Sequence, residues 1–376
     1  MSKRKTSFKV LVLIVVVALV AAMSLGCTTP AAPAPDTTAP APDTTAPDTT
    51  ATPPAPPADQ IVLRVAYHEP TGSAFDLAWH QFDQELQDKT GGAAKLELYP
   101  DEQLGKGADA VSMVVNGVTD IGWIVAAFFP GQFPISEVIN LPMVGVPNAQ
   151  TGAKSLWDMY EQTPEMQAEW AQGMHLICFC NSSYQFVNTK SKKVETIADM
   201  KGLKLRVAGA FPSQFITAIG GSPVSMAPPD MYEAMDKGVL DGSVFDWNGI
   251  KSFKLADVLN YAMDLPIVSV PQAICINQAT WDGLPDNVKQ ALNELGGADG
   301  SAFFGASLDS VNDSVSADFK ALPGREIVSI SDDERANWVA AAKPVWDGWV
   351  SNMNNAGLDG QALLDKFQSI VQSNTK

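Results

Sequence analysis

The chain is 376 residues long, with 42 acidic and 25 basic side chains, a net charge of −17, three histidines and four cysteines. An acid excess of this size excludes a nucleic-acid partner and a body lying on anionic lipid, because both surfaces would repel it. The sequence holds no CxxC, GxSxG or HExxH, so neither a zinc site nor a familiar hydrolase motif is in view.

In chain order, Lys3, Arg4, Lys5 and Lys9 precede an apolar run over 10–22 and a Gly26–Cys27 junction. This layout predicts a secretory signal over 1–26, since a membrane span needs about 20 apolar residues. The junction resembles that of a bacterial lipoprotein, in which Cys27 would carry lipid; the alternative is an uncut signal anchor. After Cys27, residues 28–59 are Pro, Ala, Thr and Asp, with APDTT at 34–38, 41–45 and 46–50, so 27–60 form one segment. Such a segment has nothing to bury and predicts a disordered tether. Its reach is about 3.1 Å per residue, up to roughly 100 Å.

The body from 61 onward is long enough for two domains with ample core. IVLRVAY (61–67) reads as a strand. Residues 73–89 read as a helix, with Phe75, Ala78, Phe82 and Leu86 on one face. Strands follow at 95–100 and 119–125, around a short helix over 107–117. Residues 151–172 read as helical, and 175–180 and 184–188 as strands. Thr196 and Asp199 have capping-box spacing. After a strand at 203–207, a helix is expected to open at Pro212 and another at Pro228. Residues 239–247 read as strand and turn, 263–276 as strands, and helices are expected from 285 and from about 332. Alternating strands and helices predict an α/β fold with parallel-rich sheets. Cys178 and Cys180, two apart in an apolar strand, are poorly placed for a disulfide and read as buried free thiols.

In GLKLRVAG (202–209) charge and apolarity alternate, so Lys204 and Arg206 share one strand face and Leu203, Leu205 and Val207 the other. A cation there is either a solvated surface charge or an anion receptor. Six stretches decide what the chain looks like: DKTGGAAKLELYPDEQLGKG (88–107), NGVTDIGW (116–123), FFPGQFPISEVINLPMV (128–144), DMKGLKLRVAG (199–209), GGSPVSMAPPDMYEAMDKGVLDG (220–242) and KLADVLNY (254–261). In this order they resemble the extracytoplasmic substrate-binding proteins of tripartite ATP-independent periplasmic (TRAP) transporters, of the dicarboxylate-receptor type.

The resemblance implies two α/β domains joined by hinge strands, with a ligand cleft between them. Domain I would take 61–182 and 272–312, and domain II 183–271 and 313–376. It implies no catalysis. A solute would be trapped outside the cytoplasmic membrane and passed to the transporter's permease subunits. Arg206 then falls on the family's carboxylate-pairing arginine, whose planar fork suits a carboxylate; Lys204 stays solvated. Where many members carry a second arginine upstream, this chain has Tyr184 or Gln185, which can donate hydrogen bonds to a hydroxyl or keto oxygen. Asp246, Trp247 and Asn248 fall in a ligand-facing loop. Trp247 offers an apolar plate or ordinary packing. No cofactor is expected, although Gln185, Asp246 and the Trp247 carbonyl have the hard oxygens to hold Na⁺ or Ca²⁺ against the solute carboxylate; otherwise Asp246 caps the next helix.

His68 and Glu69 end the first strand, facing the ligand or, for His68, lying on a surface loop. Trp123 and Phe211 point to cleft or core, with Phe211 near a helix N-terminus that favours anions. The partners expected are a small organic acid anion and the permease subunits, with the membrane reached only through a lipid anchor. Two other readings are a receptor for a membrane sensor kinase and a secreted hydrolase.

Overall fold

The computed structural model describes residues 60–375; the predicted signal, Cys27 and the tether lie outside the described residues. Among the described residues, eleven strands form two sheets: β1 (Ile61–Ala66), β2 (Ala94–Tyr99), β3 (Ile121–Val125), β4 (Met174–Asn181), β5 (Phe186–Thr189), β6 (Lys204–Arg206), β7 (Ser222–Val224), β8 (Gly242–Phe245), β9 (Tyr261–Asp264), β10 (Pro271–Asn277) and β11 (Glu326–Ser329). The first sheet has the order β2-β1-β3-β10-β4 and the second β11-β9-β5-β8-β6-β7.

Pairing follows the connections. Strands joined through helices run parallel: β1 with β2 and β3, β6 with β7 and β8. The strands at which the chain passes directly between sheets run antiparallel: β10 with β3 and β4, β5 with β8 and β9. The sheets are therefore mixed rather than parallel-rich, because a direct return reverses direction whereas a helical crossover preserves it.

The two passages pair with each other. Ser182 N–H donates to Val270 O at 3.1 Å, Gln185 N–H to Val268 O at 2.7 Å, and Ile267 N–H to Gln185 O at 2.8 Å. Asn181 Nδ2 adds a bond to Ser269 Oγ at 2.7 Å.

Packing follows the expected apolar stripes. Phe75, Trp79 and Phe82 of the helix Ala74–Thr90 are buried under the first sheet, against Phe304. Phe186, Trp247 and Phe319 form a core in the second lobe. The helix Asp332–Asn355 touches both lobes: Trp338 lies 5.9 Å from Phe215, whereas Trp346 and Trp349 donate their indole N–H to Pro142 O and Pro134 O. The helix Gly360–Asn374 returns to the first lobe, where Asn374 Nδ2 donates to Ser155 Oγ at 3.1 Å.

Two expectations shift. The helix placed at Pro212 starts at Ala210, capped by Gly209 at φ 96°, a conformation glycine adopts without strain. The helix over 151–172 is two, Ala149–Glu161 and Pro164–Trp170, because Pro164 cannot continue the first. The helices Gly297–Asp309 and Asn312–Ala321 lie between the helices expected from 285 and from about 332. A Cβ at Gly305 would lie 2.6 Å from Gln150 Cα, so that glycine serves close helix approach. Cys178, Cys180 and Cys275 are free, buried thiols.

Candidate functional site

Arg206 stands at the end of β6, and strand alternation does put it on the face of Lys204. The two then part: Lys204 is exposed, whereas Arg206 is only 2% exposed because the other lobe covers the end of the strand. Its Nε donates to Met226 O at 3.0 Å, its Cζ lies 5.0 Å from the centre of the Phe245 ring, and its Nη1 has no partner. Burial lowers its pKa to about 10, which leaves it charged at neutral pH.

Phe245 ends β8, and Asp246 follows as the N-cap of the helix Trp247–Ser252, accepting from Gly249 N–H at 2.7 Å. From the first lobe, the chain leaving β1 is pinned where Tyr67 Oη donates to Asp76 at 2.5 Å, and this sets His68 and Glu69 into the cleft. The His68 ring lies on Trp123 of β3. Phe128 meets His68 at 5.7 Å. Gln272 enters from β10 and Gln185 from the passage between sheets.

Arg206, Gln185, Asp246, Asn248, His68, Glu69 and Trp123 thus line one cavity of about 40 Å³ between the lobes. His68, Phe128 and Pro228 also line a wider groove of about 530 Å³ between the segments 102–130 and 225–230. Among the described residues, buried side-chain polar atoms without a partner concentrate here. Arg206 Nη1, His68 Nδ1, Glu69 Oε2, Gln185 Oε1, Gln272 Oε1 and Trp123 Nε1 all belong to residues of this one lining. Each unpaired buried group costs about 1–3 kcal/mol, so so many in one place marks a site built for something other than folding.

Burial also tunes the acids. Glu69 is raised to about 8 and Asp246 to about 6, in both cases mainly by desolvation. His68 is lowered to about 3 by desolvation and then by Arg206, so it is a neutral ring rather than a surface histidine.

Three residues expected at the site lie elsewhere. Tyr184 precedes Gln185 in extended chain, so its side chain points the opposite way, toward a separate hollow with Met143 and Arg335. Trp247 turns into the second-lobe core, 4.7 Å from Phe186 and 5.5 Å from Phe319. Phe211 lies inside the first turn of its helix and is buried in apolar core. Of the oxygens considered for a cation, Gln185 and Asp246 do share the cavity, but the Asp246 carboxylate caps a helix. Phe128 and Gln272 were not read from sequence. A glutamine inside the apolar run of β10 was the available signal.

The comparisons agree with this architecture. The family model for bacterial extracellular solute-binding proteins, family 7 (DctP), matches residues 65–352. The 2,3-diketo-L-gulonate-binding periplasmic protein YiaO of Escherichia coli K12 is 25% identical over 232 residues, covering 61% of this chain and 70% of that protein. A TRAP periplasmic solute-binding protein of Bordetella bronchiseptica, solved with (R)- and (S)-mandelate, is 25% identical with a TM-score of 0.78, covering 83% and 99% of the two chains. A TRAP solute-binding protein of Rhodoferax ferrireducens T118, solved with copurified benzoate, has a TM-score of 0.79 at 22% identity, covering 84% and 99%. With two α/β lobes closed over one cavity and most of its length matched, the chain belongs to family 7 of the bacterial extracellular solute-binding proteins.

Proposed function

We propose that this receptor captures an organic acid outside the cytoplasmic membrane and presents it to the permease subunits of a TRAP transporter. The observation that carries the reading is Arg206: a guanidinium 2% exposed, with Nη1 unpartnered at the interlobe cavity. A solute carboxylate supplies the missing acceptor in the geometry a guanidinium favours. The carbon part of the solute lies among Trp123, Phe128 and Phe245, which favours a flat or aromatic acid of the kind named for the Bordetella and Rhodoferax structures.

No cofactor is needed in this reading. The Asp246 carboxylate is engaged at a helix N-terminus, and Arg206 meets the solute directly. Catalysis is not part of it either. Among the described residues, His68 stacks on Trp123, His175 on Trp281, and His80 faces Asp76, so none is paired with a hydroxyl nucleophile. Anchoring follows the lipid reading of Cys27; among the described residues no helix is long and apolar enough to cross a membrane.

The test is a thermal-shift screen of benzoate, mandelate, glucuronate and 2,3-diketogulonate on refolded protein, in Na⁺-free and Ca²⁺-free buffer and again with each cation. An acid at about 100 times its Kd stabilises the fold by about 2.7 kcal/mol. A shift that appears only with a cation overturns the direct Arg206 contact, and a response to neutral sugars alone overturns the acid class.

A further inference from the structure

Two carboxyl groups face the interlobe cavity from opposite sides, Glu69 from the chain after β1 and Asp246 from the end of β8. Each is 5% exposed. One cation, Arg206, shares this lining, and its charge acts on Asp246. A solute carboxylate seated at Arg206 is therefore the third acid around one positive charge, in a space from which closure removes water. Uncompensated buried charge of that kind is strongly unfavourable.

The two acids are not equivalent. Asp246 accepts a hydrogen bond from Gly249 N–H, and Gln185 and Arg206 favour its ionised form. Glu69 has Oε2 unpartnered in the cavity. We infer that the receptor takes up one proton from solvent as it closes on its acid, and that Glu69 holds this proton and donates it in a hydrogen bond to the solute. This rests on the carboxylate reading of the same site.

The surroundings of Glu69 support the assignment from every side. Ser73 caps the adjoining helix, Asp101 follows β2, and Ser252 and Asp246 reach it from the second lobe. Asp101 and Asp246 repel a charged Glu69, and the two serine hydroxyls oppose them less strongly than burial acts. Across the cavity Arg206 stays cationic, and the neighbouring His68 stays neutral down to about pH 3. Asp246, at about 6, is mostly ionised at pH 7 and above. Between pH 7 and 8 Glu69 is thus the cavity group whose protonation depends on closure. Glu137 and Glu169 also sit near 7, but neither lines the cavity and both persist in a Glu69 variant.

The experiment is calorimetric titration of the wild type and Glu69→Gln with benzoate, mandelate, glucuronate and 2,3-diketogulonate at pH 7, in phosphate and in Tris, then across pH 7–8. These acids stay ionised throughout. For the wild type, binding heats differ between buffers by close to one proton's worth, and Kd rises by up to tenfold per pH unit. Glu69→Gln, which mimics the protonated acid, binds with the same heat in both buffers and with a Kd flat in pH. Cooperative melting of the variant establishes that it is folded. A wild type that binds with no buffer dependence, or a variant that keeps it, overturns the proton assignment and leaves the carboxylate reading standing. Failure of every acid to bind either folded protein overturns the carboxylate reading and this inference with it.

Discussion

The rings of His68 and Trp123 lie face to face, their centroids 4.4 Å apart and their planes within 1° of parallel. Trp123 in turn stacks on Phe75 at 4.0 Å, so a flat wall from the first lobe is backed by the hydrophobic core. Burial first and Arg206 second keep the imidazole neutral. We expect the His68 ring resonances in NMR spectra to hold their neutral positions from pH 8 down to 5. Titration of His68 near the ordinary 6.5 would show the ring to be solvated instead.

Arg206→Ala should abolish solute-induced stabilisation while leaving the solute-free fold at least as stable as the wild type. The guanidinium is buried without a carboxylate partner, so its removal takes away a desolvation cost. Affinity should fall by two orders of magnitude or more, since loss of one partner of a buried pair costs about 3–5 kcal/mol. Arg206→Lys should recover part of it, without the two-bond geometry. Urea unfolding and calorimetry separate the two effects; a variant that unfolds more easily and binds normally would make Arg206 a structural residue.

Asp246→Ala should cost about 1 kcal/mol of stability through loss of the cap at Gly249, and Asp246→Asn much less, because an amide oxygen still accepts that bond. Equal losses in the two variants would mean that the charge, and not the cap, matters at this position.

Glu137 is buried and its pKa is raised to about 7, with burial as the cause. The folded state therefore holds this proton more tightly than the unfolded chain. The contribution to stability is complete below pH 4.5 and is lost as pH rises toward 7 and above. A raise from 4.5 to about 7 is on the order of 3 kcal/mol. Glu137→Gln should gain stability relative to the wild type between pH 5 and 8, as read from urea midpoints at each pH. A difference that does not vary with pH contradicts the shift.

Some of this architecture is legible in the residues themselves. The alternation over 202–209 gives a strand, and the spacing of Thr196 and Asp199 gives the capping box that forms, with Thr196 N–H donating to Asp199 at 2.9 Å. Pattern could not separate Lys204 from Arg206, because what buries one of them is the other lobe, which is remote in sequence. The same limit applies at 245–247. Both aromatics flank Asp246, yet Phe245 lines the cavity while Trp247 turns to Phe319, a partner more than seventy residues away.

The helix Asp332–Asn355 is 24 residues long, about 36 Å at 1.5 Å per residue. One end is held by the second lobe at Trp338, the other by the first at Trp346 and Trp349, and Pro344 lies between the grips. Proline removes a rung of the helical hydrogen-bond ladder at that point. A rod clamped at both ends and notched in its middle flexes at the notch. The two lobes are therefore splinted as well as hinged: any change in the angle between them has to bend this one helix, and Pro344 is where it yields most readily.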